Sequence, residues 1–243
     1  MKLLLTRPEG RNQSMSEALS QLGVPYIITP LLEVQASKTH QDQDTIAHFN
    51  AADIIIFIST NAVEFSSQVI ELKKHKTAQF YAVGDATFQA LKALGIIAFA
   101  APSDCQQTEG LLTLADLQKL TGQNVMIVRG VGGRETLAEK LTQRGAKVNY
   151  WETYQRACPA INERTPYLWH DEKVDTIIIT SGEILHSLIK LVPKELFAWL
   201  RACHIIVPSS RVKEQALAYG LEQVTNAKAA NSKAMLSALG LSI

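Results

Sequence analysis

Asp53-Ile54-Ile55-Ile56-Phe57-Ile58-Ser59 and Asp175-Thr176-Ile177-Ile178-Ile179-Thr180-Ser181 lie 122 residues apart and share one pattern: an aspartate, a run of mostly β-branched residues, then a hydroxyl. An apolar run this short, without polar alternation, reads as a strand buried on both faces, as in parallel sheets covered by helices. The same offset returns at Leu5-Thr6-Arg7-Pro8 against Ile127-Val128-Arg129-Gly130, and at Leu19 and Gly23 against Leu141 and Gly145. A looser match, Ala90–Gly95 against Gln215–Gly220, comes at an offset of 125. Matches in one order along 243 residues predict an internal duplication.

Each copy alternates strand and helix. The first reads as strand Leu3–Thr6, a helix near Gln13–Leu22 closed by Gly23, and strand Tyr26–Thr29. Strand Ile54–Ile58, strand Phe80–Val83, a helix ending at Gly95, a short strand near Ile97–Phe99 and a helix over Thr108–Leu120 follow. The second copy gives Val125–Arg129, a helix near Glu135–Arg144, then strands Lys147–Trp151, Ile177–Thr180, His204–Val207 and Glu222–Thr225. Its last helix, Ser232–Leu239, is capped by Asn231. A glycine just past a helix suits the left-handed residue that ends it. This alternation predicts an α/β protein of two similar doubly wound, parallel-sheet domains. The connections Gln35–Ala52 and Gln155–Val174 are longer and more polar and read as interdomain linkers. The pattern leaves open whether the leading strands of a copy pack with its own later strands or with those of the other copy.

Composition narrows the function. Lys and Arg number 24 against 23 Asp and Glu, for a net charge of +1. That lacks the basic excess of a nucleic-acid binder. No apolar run nears the ~20 residues that cross a bilayer, and Arg7, Pro8 and Glu9 end the N-terminal apolar run too early for a signal peptide. The expectation is a soluble cytoplasmic protein without nucleic-acid or membrane partners. Cys105, Cys158 and Cys203 are odd in number and scattered, so no disulfide framework is implied. The histidines form no metal-ligand spacing, and there is no phosphate loop, no complete dinucleotide fingerprint and no hydrolase elbow. Neither a metal nor a cofactor is expected.

In open α/β sheets, ligands bind beyond the carboxyl ends of the strands. That rule selects six turns: Thr6–Arg11, Ser59–Asn61, Gly84–Thr87, Arg129–Arg134, Thr180–Gly182 and Pro208–Arg211. They are rich in hydroxyls, glycine and arginine, which together with helix-start N–H groups receive anions. The candidate substrate-binding residues are Arg7, Ser59, Thr60, Asn61, Gly84, Thr87, Arg129, Gly132, Arg134, Thr180, Ser181, Ser209, Ser210 and Arg211. The alternative for each hydroxyl is a plain helix cap, and for each arginine a solvated charge.

Over its whole length the chain resembles the uroporphyrinogen-III synthase family. The resemblance rests on Leu5-Thr6-Arg7-Pro8, Phe57–Val63, Tyr81–Thr87, Arg129–Arg134 with Leu137, Thr153-Tyr154-Gln155-Arg156, Thr180-Ser181-Gly182 and Ser209-Ser210-Arg211. It departs at Pro208-Ser209, where many members carry Gly-Pro or a threonine. The resemblance implies that residues 1–33 plus 160–243 form one domain and 38–152 the other, with linkers at 34–37 and 153–159; because the linkers are long and polar and only two chain crossings join the domains, they are expected to act as a hinge. It implies a cyclising hydro-lyase of tetrapyrrole and heme biosynthesis that needs no metal or cofactor; a monomer is expected, though the sequence itself does not report oligomeric state. The substrate is then linear hydroxymethylbilane, a polycarboxylate. Loss of water from its ring A hydroxymethyl gives an azafulvene cation, ring D attacks to form a spiro intermediate, and fragmentation and reclosure leave ring D inverted. Holding a flexible chain in one fold is an orientational task, and protonating the departing hydroxyl is general-acid work. Tyr154, leaving the second domain, is the expected catalytic acid; a packed tyrosine is the alternative. Two rival readings are a non-enzymatic two-domain module that closes on a small anion and an enzyme of nucleotide or sugar-phosphate chemistry. The missing phosphate loop weighs against the second.

Overall fold

The apolar runs become strands. The structure, a computed structural model, describes residues 1–241, so the last two positions of the 160–243 segment lie outside the described residues. The strands are β1 (Leu3–Leu5), β2 (Tyr26–Ile28), β3 (Glu33–Ala36), β4 (Ile54–Phe57), β5 (Gln79–Ala82) and β6 (Ala98–Ala100). They continue with β7 (Asn124–Gly130), β8 (Lys147–Ala157), β9 (Thr176–Ile178), β10 (His204–Val207) and β11 (Gln223–Asn226). Two units result: Met1–Glu33 with the chain from Ala157 onward, and Val34–Arg156. The first holds a sheet ordered β11-β10-β9-β1-β2, the second a sheet ordered β3-β8-β7-β4-β5-β6. The leading strands of each copy thus pair with the later strands of the other.

Register follows the sequence offset. In the first unit Leu3 lies opposite Tyr26 on one side and Thr176 on the other. In the second, Val125, 122 residues beyond Leu3, lies opposite Val148 and Ile54, positions related to Tyr26 and Thr176 by the same offset. The two leading aspartates explain themselves in the same way. Asp53 Oδ2 accepts from the Asn124 N–H at 2.8 Å, and Asp175 Oδ1 from the Lys2 N–H at 3.0 Å. Each carboxylate fastens the start of the neighbouring strand, at the end of the sheet away from the selected turns.

Strands covered on both faces need apolar residues at every position. Leu4, Ile177 and Ile205 face one helical layer with Leu185 and Leu188, while Leu3, Leu5, Ile178 and Ile206 face another with Met15 and Leu19. In the second unit Ile55, Phe57 and Trp151 share one core, and Ile54, Ile56 and Ile127 the other with Leu137 and Leu141. Truncating any of these to Ala removes buried surface and leaves a cavity, a loss of roughly 2–5 kcal/mol.

Three expectations need correction. The connections read as polar linkers contain helices Gln43–Asn50 and Thr165–Asp171; the first is capped by Asp42, whose carboxylate accepts from the Thr45 N–H at 2.9 Å. The helix expected over Thr108–Leu120 stops at Leu111, with a 3-10 turn at Ala115–Leu117. There Arg144 Nη1 donates to the carbonyls of Leu112 and Leu117, both at 2.9 Å, and Gln118 Nε2 to those of Leu112 and Leu114, at 2.7 and 3.0 Å. Side chains thereby take carbonyls that a continuous helix would have used. The strand expected to end at Trp151 runs on to Ala157. Among the described residues no helix is long and apolar enough to cross a membrane, and no three His, Cys, Asp or Glu gather as metal ligands.

Candidate functional site

In a parallel sheet all carboxyl ends lie along one edge, so the selected turns of each unit gather there. In the second unit this edge is shaped by an irregularity. Arg129 pairs with Glu152 but Gly130 with Tyr154, leaving Thr153 as an extra residue in β8. A bulge shifts the phase of alternation and re-aims the next side chain. Without it, Tyr154 would face away from the core that holds Trp151; with it, both belong to that core. The Tyr154 ring is 6% exposed, stacks on Phe65 at 5.9 Å between centroids, and brings its hydroxyl to Ser59 Oγ at 3.0 Å. Ser59 also caps helix Thr60–Ser67, accepting from the Ala62 N–H at 3.1 Å. One hydrogen is shared between the two hydroxyls. Whichever donates, the other keeps an O–H that can serve a ligand, and the helix N–H polarises the serine.

Arg129 has a different fate from the open anion receptor expected of it. It is 4% exposed. Its Nη1 meets Glu135 at 3.1 Å, its Nε meets Glu152 at 3.4 Å, and its guanidinium lies 4.3 Å over the Tyr150 ring. The Tyr150 hydroxyl donates to Glu135. That bond, with further help from Arg129, holds the Glu135 carboxyl below its ordinary value against the cost of desolvation. Burial, then the Glu135 bond, pushes Tyr150 up to about 12. Glu152 also accepts from the Gly132 N–H at 3.1 Å. Arg134 and Thr60 stand exposed, and Asn61 is half-buried. Gly84 precedes helix Asp85–Ala93, where Thr87 is buried and Gln106 accepts from the Asp85 N–H at 3.3 Å.

In the first unit Arg7 is 9% exposed. It donates to the Ala230 carbonyl at 2.5 Å, to Ser232 Oγ at 2.9 Å and to the Arg11 carbonyl at 3.5 Å. No carboxylate pairs with it among the described residues, and burial draws its pKa below the usual value. Ser181 and Ser209 cap their helices, accepting from Ile184 at 3.2 Å and Val212 at 3.4 Å. Ser210 Oγ accepts from Asn226 at 3.2 Å, Thr180 is half-buried, and Arg211 is exposed. Within the selected turns the first unit carries Arg7, Arg11 and Arg211 against Glu9, and the second Arg129 and Arg134 against Asp85, with Arg129 further met by Glu135 and Glu152. Anions are therefore favoured at the first edge, and an anchored hydroxyl pair belongs to the second.

Sequence reading missed Glu135, Glu152, Tyr150 and Gln106. Glu135 and Glu152 are visible as charges six and 23 residues from Arg129, but only the return of β8 alongside β7 joins them to it.

The family model described as "Uroporphyrinogen-III synthase HemD" matches residues 13–237. The chain is 32% identical to the uroporphyrinogen-III synthase of Salmonella typhimurium, over 98% of this chain and 100% of that one. It is 31% identical to the Escherichia coli K12 protein of the same name, with the same coverage. The fold is similar to the crystal structure of uroporphyrinogen-III synthetase from Helicobacter pylori, with a TM-score of 0.60 and 17% identity over 98% of both chains. A mutant uroporphyrinogen III synthase from Thermus thermophilus gives a TM-score of 0.55 at 14% identity, over 99% of this chain and 97% of that one.

Proposed function

The chain belongs to the uroporphyrinogen-III synthase family, and we propose that it closes linear hydroxymethylbilane to uroporphyrinogen III with loss of water and inversion of ring D. The full-length match to named relatives is the observation that carries the activity. It is a cyclising lyase of tetrapyrrole synthesis, and the reading places it in the cytoplasm as a monomer.

In this reading the Tyr154–Ser59 pair performs the proton chemistry. The C–O bond of the hydroxymethyl breaks, one hydroxyl of the pair gives its proton to the departing oxygen, and water leaves behind the azafulvene cation. A phenol is both a hydrogen-bond donor and an acceptor, as this relay requires. Ser59 is half-buried while the phenol is buried, so the serine is the outer member of the pair. Carboxylates of the substrate are received by Arg7, Arg211, Arg134 and by hydroxyls and N–H groups of Thr60, Asn61, Gly84, Gly132, Thr180, Ser181, Ser209 and Ser210. Arg129 and Thr87 act from within, by holding their turns.

Incubation with hydroxymethylbilane, followed by isomer analysis, tests the activity: the inverted isomer should dominate, and only the uninverted one would refute it. Tyr154→Phe should slow turnover about 10- to 100-fold, at or below the usual general-acid contribution, and leak the uninverted isomer while substrate still binds. A wild-type rate and isomer ratio in that variant would leave Tyr154 as a packing residue.

A further inference from the structure

We infer that Gly130 is a positioning residue for the Tyr154 phenol, an inference that rests on the catalytic reading of Tyr154. Gly130 lies opposite Tyr154 in the ladder, at the point where the bulge shifts the register. A Cβ placed on Gly130 would come within 2.6 Å of both Cε2 and Cζ of that ring and 3.1 Å from its hydroxyl. Two other glycines of the same turn have the opposite character. Gly132 and Gly133 adopt φ of +74° and +108° with open space where a side chain would go, so backbone conformation explains them. The φ of Gly130 is outside that left-handed region. What this glycine supplies is room.

The ring thus meets both the bare backbone of Gly130 and the ring of Phe65. Carbon atoms pack at about 3.5–4.0 Å, so a methyl group at 130 would push the ring away by about 1 Å. The hydroxyl bond to Ser59 spans 3.0 Å, and a displacement of that size breaks it, since hydrogen bonds weaken beyond roughly 3.2 Å. The bulge chooses the face, Phe65 stacks on the ring, and Gly130 admits the ring to within bonding distance of the serine.

A double-mutant cycle on the full chain separates this role from a general structural one. Gly130→Ala should slow single-turnover closure of hydroxymethylbilane by about tenfold or more and leak the uninverted isomer. In the Tyr154→Phe background the same substitution meets the same ring but has no phenol to misplace. There it should leave the residual rate within about twofold while lowering the melting temperature by as much as in the parent chain. Equal slowing in both backgrounds, or no slowing in the parent, overturns the role of Gly130. A wild-type rate for Tyr154→Phe alone overturns the reading of Tyr154 itself. If Gly130→Ala is recovered unfolded, Phe65→Leu with Gly130→Ala gives the ring space to withdraw. A folded double variant that is slow relative to Phe65→Leu supports the inference; one as fast as Phe65→Leu, or a second failure to fold, overturns it.

Discussion

Arg7 and Arg129 occupy one position in the repeat, 122 residues apart, each at the carboxyl end of an inner strand and each buried. Their surroundings diverge. Arg129 meets Glu135, Glu152 and the Tyr150 ring. The residues 122 positions before those three are Gln13, Pro30 and Ile28. Among the described residues Arg7 accordingly finds only neutral acceptors, two carbonyls and a serine. A cation with its own counter-ions projects little field, while one without them retains it for a ligand. One arginine is tied to counter-ions and the other to neutral acceptors, although a sequence motif reads them as the same.

Kinetics offer the hardest test of that contrast. Arg7→Met should cut kcat/KM for hydroxymethylbilane about 10- to 100-fold, mostly through KM, as expected for the loss of a charge-assisted contact of roughly 1.5–3 kcal/mol. Arg129→Met should change KM by less than about twofold. A larger KM effect at Arg129 than at Arg7 would break the comparison.

Stability should show the reverse order. Arg129→Met leaves Glu135 and Glu152 without the cation they share. Their side chains are 52% and 32% exposed, so solvent screens part of the loss and keeps it below that of breaking a fully buried pair. Denaturant titration against wild type would measure it.

The capping serines sharpen the comparison further. Ser59→Ala and Ser181→Ala should each remove a helix cap and lower stability by about 1 kcal/mol. Only Ser59 carries a phenol partner, so only Ser59→Ala should reduce kcat. Equal kcat losses would mean that the pair has no special part in the reaction.

The smallest effect expected is on acid stability. The bond from Tyr150, with help from Arg129, depresses the folded-state value of Glu135 relative to its ordinary 4.5. A depressed carboxylate contributes stability that is present above the unfolded value and lost as pH falls through the folded one. Below about pH 4.5, amide resonances of the turn around Gly132 should shift before those around Arg7, whose anchor among the described residues contains no carboxylate. Simultaneous change in both turns would count against it.

Much of this was legible in the amino-acid order because buried parallel strands demand apolar residues at every position. The run Ile54–Phe57 therefore announced its strand, and the offset of 122 carried its register. The bulge at Thr153 was not legible, since one extra residue without a glycine or proline leaves no mark. Helix Gln43–Asn50 was missed because it buries only Phe49 and so shows almost no apolar stripe. Ser59 and Tyr154 each stood out, but 95 residues separate them and nothing local pairs them. Glu135 and Glu152 looked like surface charges until β8 returned beside β7.

The placing of β1 has a consequence for how the protein is made. Its three leucines lie between β2 and β9, and the amide of Lys2 reaches Asp175, 173 positions later. A ribosome thus releases β1 long before its partner exists. The unit from Val34 to Arg156 is continuous and can fold first during synthesis. Its first and longest strands, β3 and β8, are neighbours joined through Ser37 and Thr153, so folding it brings the start and end of the intervening segment together. The nascent chain then closes a far shorter effective loop when β9 emerges than its residue count implies. Until that moment Leu3–Leu5 has one edge uncovered. A chain stopped after Arg156 would keep it so, with an exposed apolar strand as its defect and chaperone capture or aggregation as its fate.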